Sequence, residues 1–185
     1  MSIFDKLKKA AGEAPAAAPS NRTAQTFTFS ALPESLAQMQ ALPEAELRSP
    51  FQTAALTVCA LCVYGVQKQT GTEMLNWLKG PRPLSGYEIS FLNDRFRDGT
   101  HVPFSYFQGA VPENDYTPQK PYTITVEAGP YADANPGYKK LHIRSGGADN
   151  PREIVLRQKA DGTWLLWEQF LMVGIRQPKS ADPWA

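Results

Sequence analysis

The order of hydrophobic periods along the chain predicts an α+β domain, with N-terminal helices packed on one face of a C-terminal antiparallel β-meander. Three observations carry this. Apolar residues recur at helical spacing from about residue 32 to residue 99, and from Pro121 onward the period falls to two. Between two of the alternating runs stands Asp161-Gly162, the residue pair a tight hairpin needs. The order suits a cystatin-like or nuclear-transport-factor-like curved sheet, an analogy of fold that fixes no function.

Thr26-Phe-Thr-Phe29 is a short alternating strand. Leu32-Pro33 opens a helix with proline in the first turn, where a missing N–H costs little, and Leu42-Pro43 repeats the device for a shorter one. Ser49-Pro50 opens the longest helix, Phe51 to about Gln67, which is apolar nearly all round and is therefore the predicted buried centre. Thr72 to Lys79 is a further helix, stopped by Gly80-Pro81. The next begins at Ser85-Gly-Tyr-Glu88, a capping box in which serine and glutamate satisfy each other's backbone N–H groups. Residues 121–126, 140–145, 153–159 and 163–169 are the predicted strands. Ahead of the domain, residues 1–24 form a predicted flexible leader containing the linker Ala11-Gly-Glu-Ala-Pro-Ala-Ala-Ala-Pro-Ser20, and residues 25–185 form the single domain.

Composition narrows the classes of function. Nineteen basic and 18 acidic residues leave a net charge of +1, which argues against nucleic acid as a partner of the whole surface. No apolar stretch reaches the ~20 residues of a bilayer span, and no secretory signal pattern opens the chain. Two cysteines give no disulfide framework. A cytoplasmic location is expected.

Several blocks have distinctive wording: Leu78-Lys-Gly-Pro81, Val102-Pro-Phe-Ser-Tyr-Phe107, Pro112-Glu-Asn-Asp-Tyr-Thr-Pro118, Ser145-Gly-Gly-Ala-Asp149, Trp167-Glu-Gln-Phe170 and Asp182-Pro-Trp-Ala185. Through them the chain, from about Phe27 to Ala185, resembles an uncharacterised bacterial family, a domain of unknown function. The resemblance implies no activity, so no catalytic role passes to any residue.

Among possible sites, Ser145-Gly146-Gly147 with Arg144, Arg152 and Arg157 is a candidate anion site. Glycines let successive N–H groups face one concavity, and arginine matches phosphate or carboxylate in two-toothed geometry. Lys140, His142 and Arg144 share one strand face, a pattern that is more often the wet side of a sheet than a nucleic-acid surface. Cys59-Ala-Leu-Cys62 lies inside the apolar helix, away from the helix N-terminus that activates redox pairs, and is expected to be two core thiols. His101, Ser105 and Asp115 contain the residue types of a hydrolytic trio, which only geometry can make into one. Glu113-Asn-Asp115 lacks the spacing of a calcium loop and is expected to be a turn. The large aromatics are expected in the core.

At the front of the chain, Ile3, Phe4 and Leu7 can share one helical face bordered by Lys6, Lys8 and Lys9, the arrangement of a weak membrane-surface or partner-groove contact. No cofactor and no metal site is expected. The reading that best fits these observations is a non-catalytic binding or interaction module for a protein partner or a small anionic ligand. A small-molecule-processing enzyme with a cleft between helices and sheet is the alternative.

Overall fold

A computed structural model describes residues 23–185. The proposed membrane or partner contact of Ile3, Phe4 and Leu7 lies outside these residues. Strand β1 (Thr23–Phe29) is followed by helices α1 (Leu36–Gln40), α2 (Pro50–Val66), α3 (Lys68–Lys79) and α4 (Gly86–Phe96). Strands β2 (Tyr122–Ala128), β3 (Tyr138–Ile143), β4 (Arg152–Gln158) and β5 (Trp164–Gln169) complete the domain. All five strands form one antiparallel sheet in the order β1-β2-β3-β4-β5. This is the α+β arrangement that the change of period predicts.

The helices begin where local chemistry can satisfy their first N–H groups. Ser49 Oγ accepts from Phe51 N, and Gln52 Oε1 accepts from Ser49 N, so α2 starts with a closed capping box and a proline at its first position. Ser85 and Glu88 make the predicted box at the start of α4. The Leu32-Pro33 helix starts later than its proline suggests, because Ser35 is the residue that caps it. Pro43–Glu46 is only a 3-10 turn. Helix α3 is longer than expected at its front and follows α2 after Gln67 alone. A Cβ on Gly71 would lie 2.3 Å from Tyr64 Cα, so the tight reversal between these helices requires glycine there.

Every residue of α2 from Thr53 to Tyr64 is buried. Its neighbours are the inward residues of the sheet, among them Ile124, Val126, Leu141, Ile143, Ile154 and Leu156. Each such side chain contributes roughly 1.5–3 kcal/mol when removed from water. Cys59 and Cys62 belong to this core as free thiols, and burial raises both pKa values above the ordinary thiol range.

A buried polar residue of α2, Thr53, and the backbone just ahead of that helix hold the sheet's last strand. Thr53 Oγ1 donates to Trp164 O at 2.7 Å, and Trp164 N donates to Leu47 O at 2.8 Å. Strand β5 is an edge strand, so these bonds occupy groups that would otherwise stand open to pairing. Further along β5, Lys79 Nζ approaches Trp167 O at 3.3 Å. The hairpin from β4 closes through Lys159 N to Thr163 O and Gly162 N to Lys159 O, around the predicted Asp161-Gly162.

Candidate functional site

A cleft of about 480 Å³ opens between α3, α4 and β5. Its floor is aliphatic: Leu61, Leu75, Leu92 and Leu166 are all nearly inaccessible to water. Its rim is aromatic. Tyr87 is 81% exposed and Phe170 45%. At one side of the floor Lys79 is almost fully buried and sits 2.7 Å from Glu88 Oε1. Burial pushes the Glu88 carboxyl up, but hydrogen bonds from Lys79 and Ser85 outweigh it and hold the group below its ordinary value.

Trp167 is the hinge of this region. Along β4 and β5, Val155 faces Glu168 while Leu156 faces Leu166, which leaves Trp167 as the extra residue of a β-bulge. A bulge re-aims a side chain that strict alternation would place elsewhere. Trp167 accordingly lines the cleft together with two adjoining concavities of about 420 and 430 Å³. The Arg82 guanidinium lies 4.2 Å from the centroid of its ring and that of Arg157 lies 4.9 Å away, both within cation–π range. Tyr138 meets the same ring edge-on at 5.4 Å.

The residues of the predicted anion site are separated. Gly146 N donates to Ser105 O, and Gly147 N to Ser145 Oγ, so these N–H groups close a loop rather than opening a nest. Neither glycine is among the positive-φ residues. Both are needed for close approach instead: a Cβ on Gly146 would lie 1.9 Å from Ala110 O, and one on Gly147 2.1 Å from the Tyr116 hydroxyl. Arg152 donates to three carbonyls, those of Asn150, Val173 and Gly174. Arg144 pairs with Glu127 at 3.3 Å. Of the set, only Arg157 reaches the Trp167 region, where it shares the ring and one concavity with Arg82.

Other candidate groups are engaged structurally. Ser105 Oγ bonds Val102 O and Ser145 Oγ, Asp115 accepts from Ser180 N, and His101 stacks on Tyr116 with ring centroids 5.1 Å apart. Those three residues therefore form no hydrogen-bonded trio. His101 Nε2 is buried with no partner among the described residues, and burial holds the imidazole pKa below its ordinary value. Asn114 bonds Gly109, Val111 and Thr117, which makes residues 113–115 a turn. On the outer sheet face Lys140 and His142 lie near Glu153 at 3.2 and 3.9 Å, so the basic stripe is locally balanced. No metal-ligating cluster occurs among the described residues, and no helix among them is long and apolar enough to cross a membrane.

The expectation that the aromatics fill the core holds for Tyr106 and Phe107, which are buried, and for Phe104 and Trp164, which pack against the core from its edge. Trp167 and the almost fully exposed Trp184 differ. Arg82 was invisible as a site residue: it stands in the proline-bracketed connection Pro81-Arg-Pro83, more than eighty positions from its tryptophan. The one available signal was the density of Trp, Phe and charged residues in Trp167-Glu-Gln-Phe170.

Fold and site together define an α+β domain with helices on one face of an antiparallel meander and an aromatic cleft beside its last strand. The chain belongs to the family described as Domain of unknown function (DUF6935), whose model matches residues 31–179. No curated protein and no solved structure matches it.

Proposed function

We propose that this chain is a non-catalytic binding module, working in the cytoplasm, whose ligand lies in the cleft between α3, α4 and β5 and against Trp167. The observation that carries the reading is the convergence of exposed aromatics on one place. Tyr87 and Phe170 rim the cleft, and Tyr131, 79% exposed, lines the concavity that shares Trp167 and Phe170 with it. Scattered exposed hydrophobics need no explanation, but a contiguous set around a concavity marks a binding surface. Its size falls within the ~300–1,000 Å³ of pockets for small organic molecules, and its few polar groups beside an apolar floor are the usual means of orienting one. Two unpaired thiols suit a reducing compartment.

A cleft between helices and sheet is also what the enzymatic alternative requires. Against it, Lys79 and Glu88 hold each other, and a carboxyl with lowered pKa is poorly placed to act as a general acid near neutral pH.

The test is a titration of the full chain with the neutral fluorophore N-phenyl-1-naphthylamine. Saturable binding is expected, weakened about tenfold or more in Phe170→Ala and Tyr87→Ala, since aromatic anchors dominate such sites. Both positions are exposed, so neither change threatens the fold. Absence of saturable binding, or equal binding by both variants, would overturn the reading.

A further inference from the structure

The concavity that shares Lys79, Arg82 and Trp167 with the main cleft, but not Glu88, has a different character from it. It measures about 430 Å³ and is lined by Lys79, Arg82, Arg157 and Lys159 together with Trp167, and among the described residues no Asp or Glu lines it. Two of the four cations are already matched: Lys79 by Glu88 at 2.7 Å and Lys159 by Asp161 at 3.1 Å. The other two are not. Among the described residues neither Arg82 nor Arg157 makes an ion pair, and neither donates a hydrogen bond to a protein acceptor; each instead lays its guanidinium near the Trp167 ring. Arg157 also lies 5.3 Å from the Tyr138 ring centroid.

Stacking fixes the plane of a guanidinium while leaving its N–H edge free, and that edge is the part which recognises carboxylate or phosphate. Two guanidiniums without an acidic partner among the described residues, lining one concavity, leave a local excess of positive charge that a bound anion offsets. The same indole forms a wall of the apolar cleft. An organic body in the cleft would therefore bring any acidic substituent directly to the arginine edges.

We infer that the ligand of this domain is an organic anion, its apolar body in the α3–α4–β5 cleft and its carboxylate or phosphate group on Arg82 and Arg157 beside Trp167. The inference rests on the cleft reading above and adds the chemical class of what the cleft takes. It also relocates the anion site. Arg157 keeps the role its sequence position suggested, with Arg82 as its partner in place of Arg144 and Arg152.

Two probes that share one skeleton separate this inference from the reading beneath it. N-phenyl-1-naphthylamine is neutral, and 8-anilino-1-naphthalenesulfonate is the same body with a sulfonate standing in for the ligand's acid group. The full chain is titrated with each at low and at high salt, as wild type, Arg82→Gln and Arg157→Gln. The sulfonate is expected to bind about tenfold or more tightly than the neutral probe at low salt, an advantage of the size one charge-assisted contact gives. That advantage should shrink severalfold in either variant and in high salt, while affinity for the neutral probe stays within about twofold. Both arginines are exposed, and matching thermal melts confirm that the variants fold. If the neutral probe binds but the sulfonate binds no tighter, or keeps its advantage in both variants, the anion inference is overturned and the cleft reading stands. If neither probe binds, both fall.

Discussion

Lys79 and Glu88 meet at 2.7 Å with only 4% of the lysine side chain exposed to solvent, against 36% of the glutamate side chain. The pair joins the end of α3 to the start of α4; both residues line the apolar cleft, and Lys79 also lines the cationic concavity. Its asymmetry decides what each substitution does. Glu88→Gln leaves a buried ammonium facing a neutral amide and should lower stability by about 1–3 kcal/mol, less than for a fully buried pair because Glu88 reaches water. Lys79→Met keeps the apolar stem and leaves a carboxylate that still accepts from Ser85, so it should cost less. Urea unfolding checks the order, and the reverse order would show that the ammonium is not the poorly solvated partner.

The same pair sets a pH dependence. The Glu88 carboxyl has its pKa lowered in the folded state, so its contribution to stability is complete above the ordinary value of 4.5 and is lost as pH falls through the lower folded value. Urea midpoints measured from pH 6 downward should fall more steeply in wild type than in Glu88→Gln. Parallel curves would mean that the carboxyl titrates alike in both states.

Arg152 is expected to be structural. Its guanidinium joins the start of β4 to the carbonyls of Val173 and Gly174 and to that of Asn150. Arg152→Ala should destabilise by about 1–3 kcal/mol, and Arg152→Lys should recover little of this, because one ammonium cannot span the three acceptors of a planar fork. Arg144→Ala removes an exposed pair and should stay within about 0.5 kcal/mol of wild type. Chemical denaturation of the three variants checks both statements, and a full rescue by lysine would show that charge alone matters at 152.

Gly147→Ala should be among the most damaging small substitutions in the domain. The added carbon meets the Tyr116 hydroxyl at 2.1 Å and Ile175 at 2.8 Å, and that hydroxyl is already fixed on Arg176 O. Overpacking of this kind costs about 1–3 kcal/mol. A melting temperature equal to wild type would show that the loop yields freely.

Cys59 and Cys62 should react with a thiol reagent only after unfolding, since burial both blocks access and raises the thiol pKa values. Rates with an aromatic disulfide, compared in buffer and in denaturant, check this. Fast labelling of the native protein would place α2 nearer the surface than the sheet packing allows.

Much of the scaffold was legible because it is written in local chemistry. Ser85 and Glu88, or Ser49 and Pro50, announce a helix start within four residues, and Asp161-Gly162 announces a turn within two. What escaped depends on residues far apart in the chain. Nothing around Thr23–Phe29 says that its partner is Tyr122–Ala128. The bulge at Trp167 breaks the alternation that sequence reading relies on, so the side chain sits where strict period two does not put it. Ser145-Gly146-Gly147 has the composition of an anion nest, and only tertiary contacts with Ala110 and Tyr116 show that the glycines serve close packing.

The place of β1 in the sheet has a consequence in time. Thr26 and Thr125 touch through their hydroxyls although 99 positions separate them. At a synthesis rate of ~5–20 residues per second, the first strand waits roughly 5–20 seconds before its partner strand is made. Helix α2 and the helices around it are complete within that interval, whereas the sheet can only grow afterwards, from hairpins between consecutive strands. The ladder of the oldest strand therefore cannot begin to close until helices α1 to α4 have been made. Until then its alternating Thr and Phe residues are an unpaired β-forming segment, which a nascent chain must keep from pairing with its neighbours.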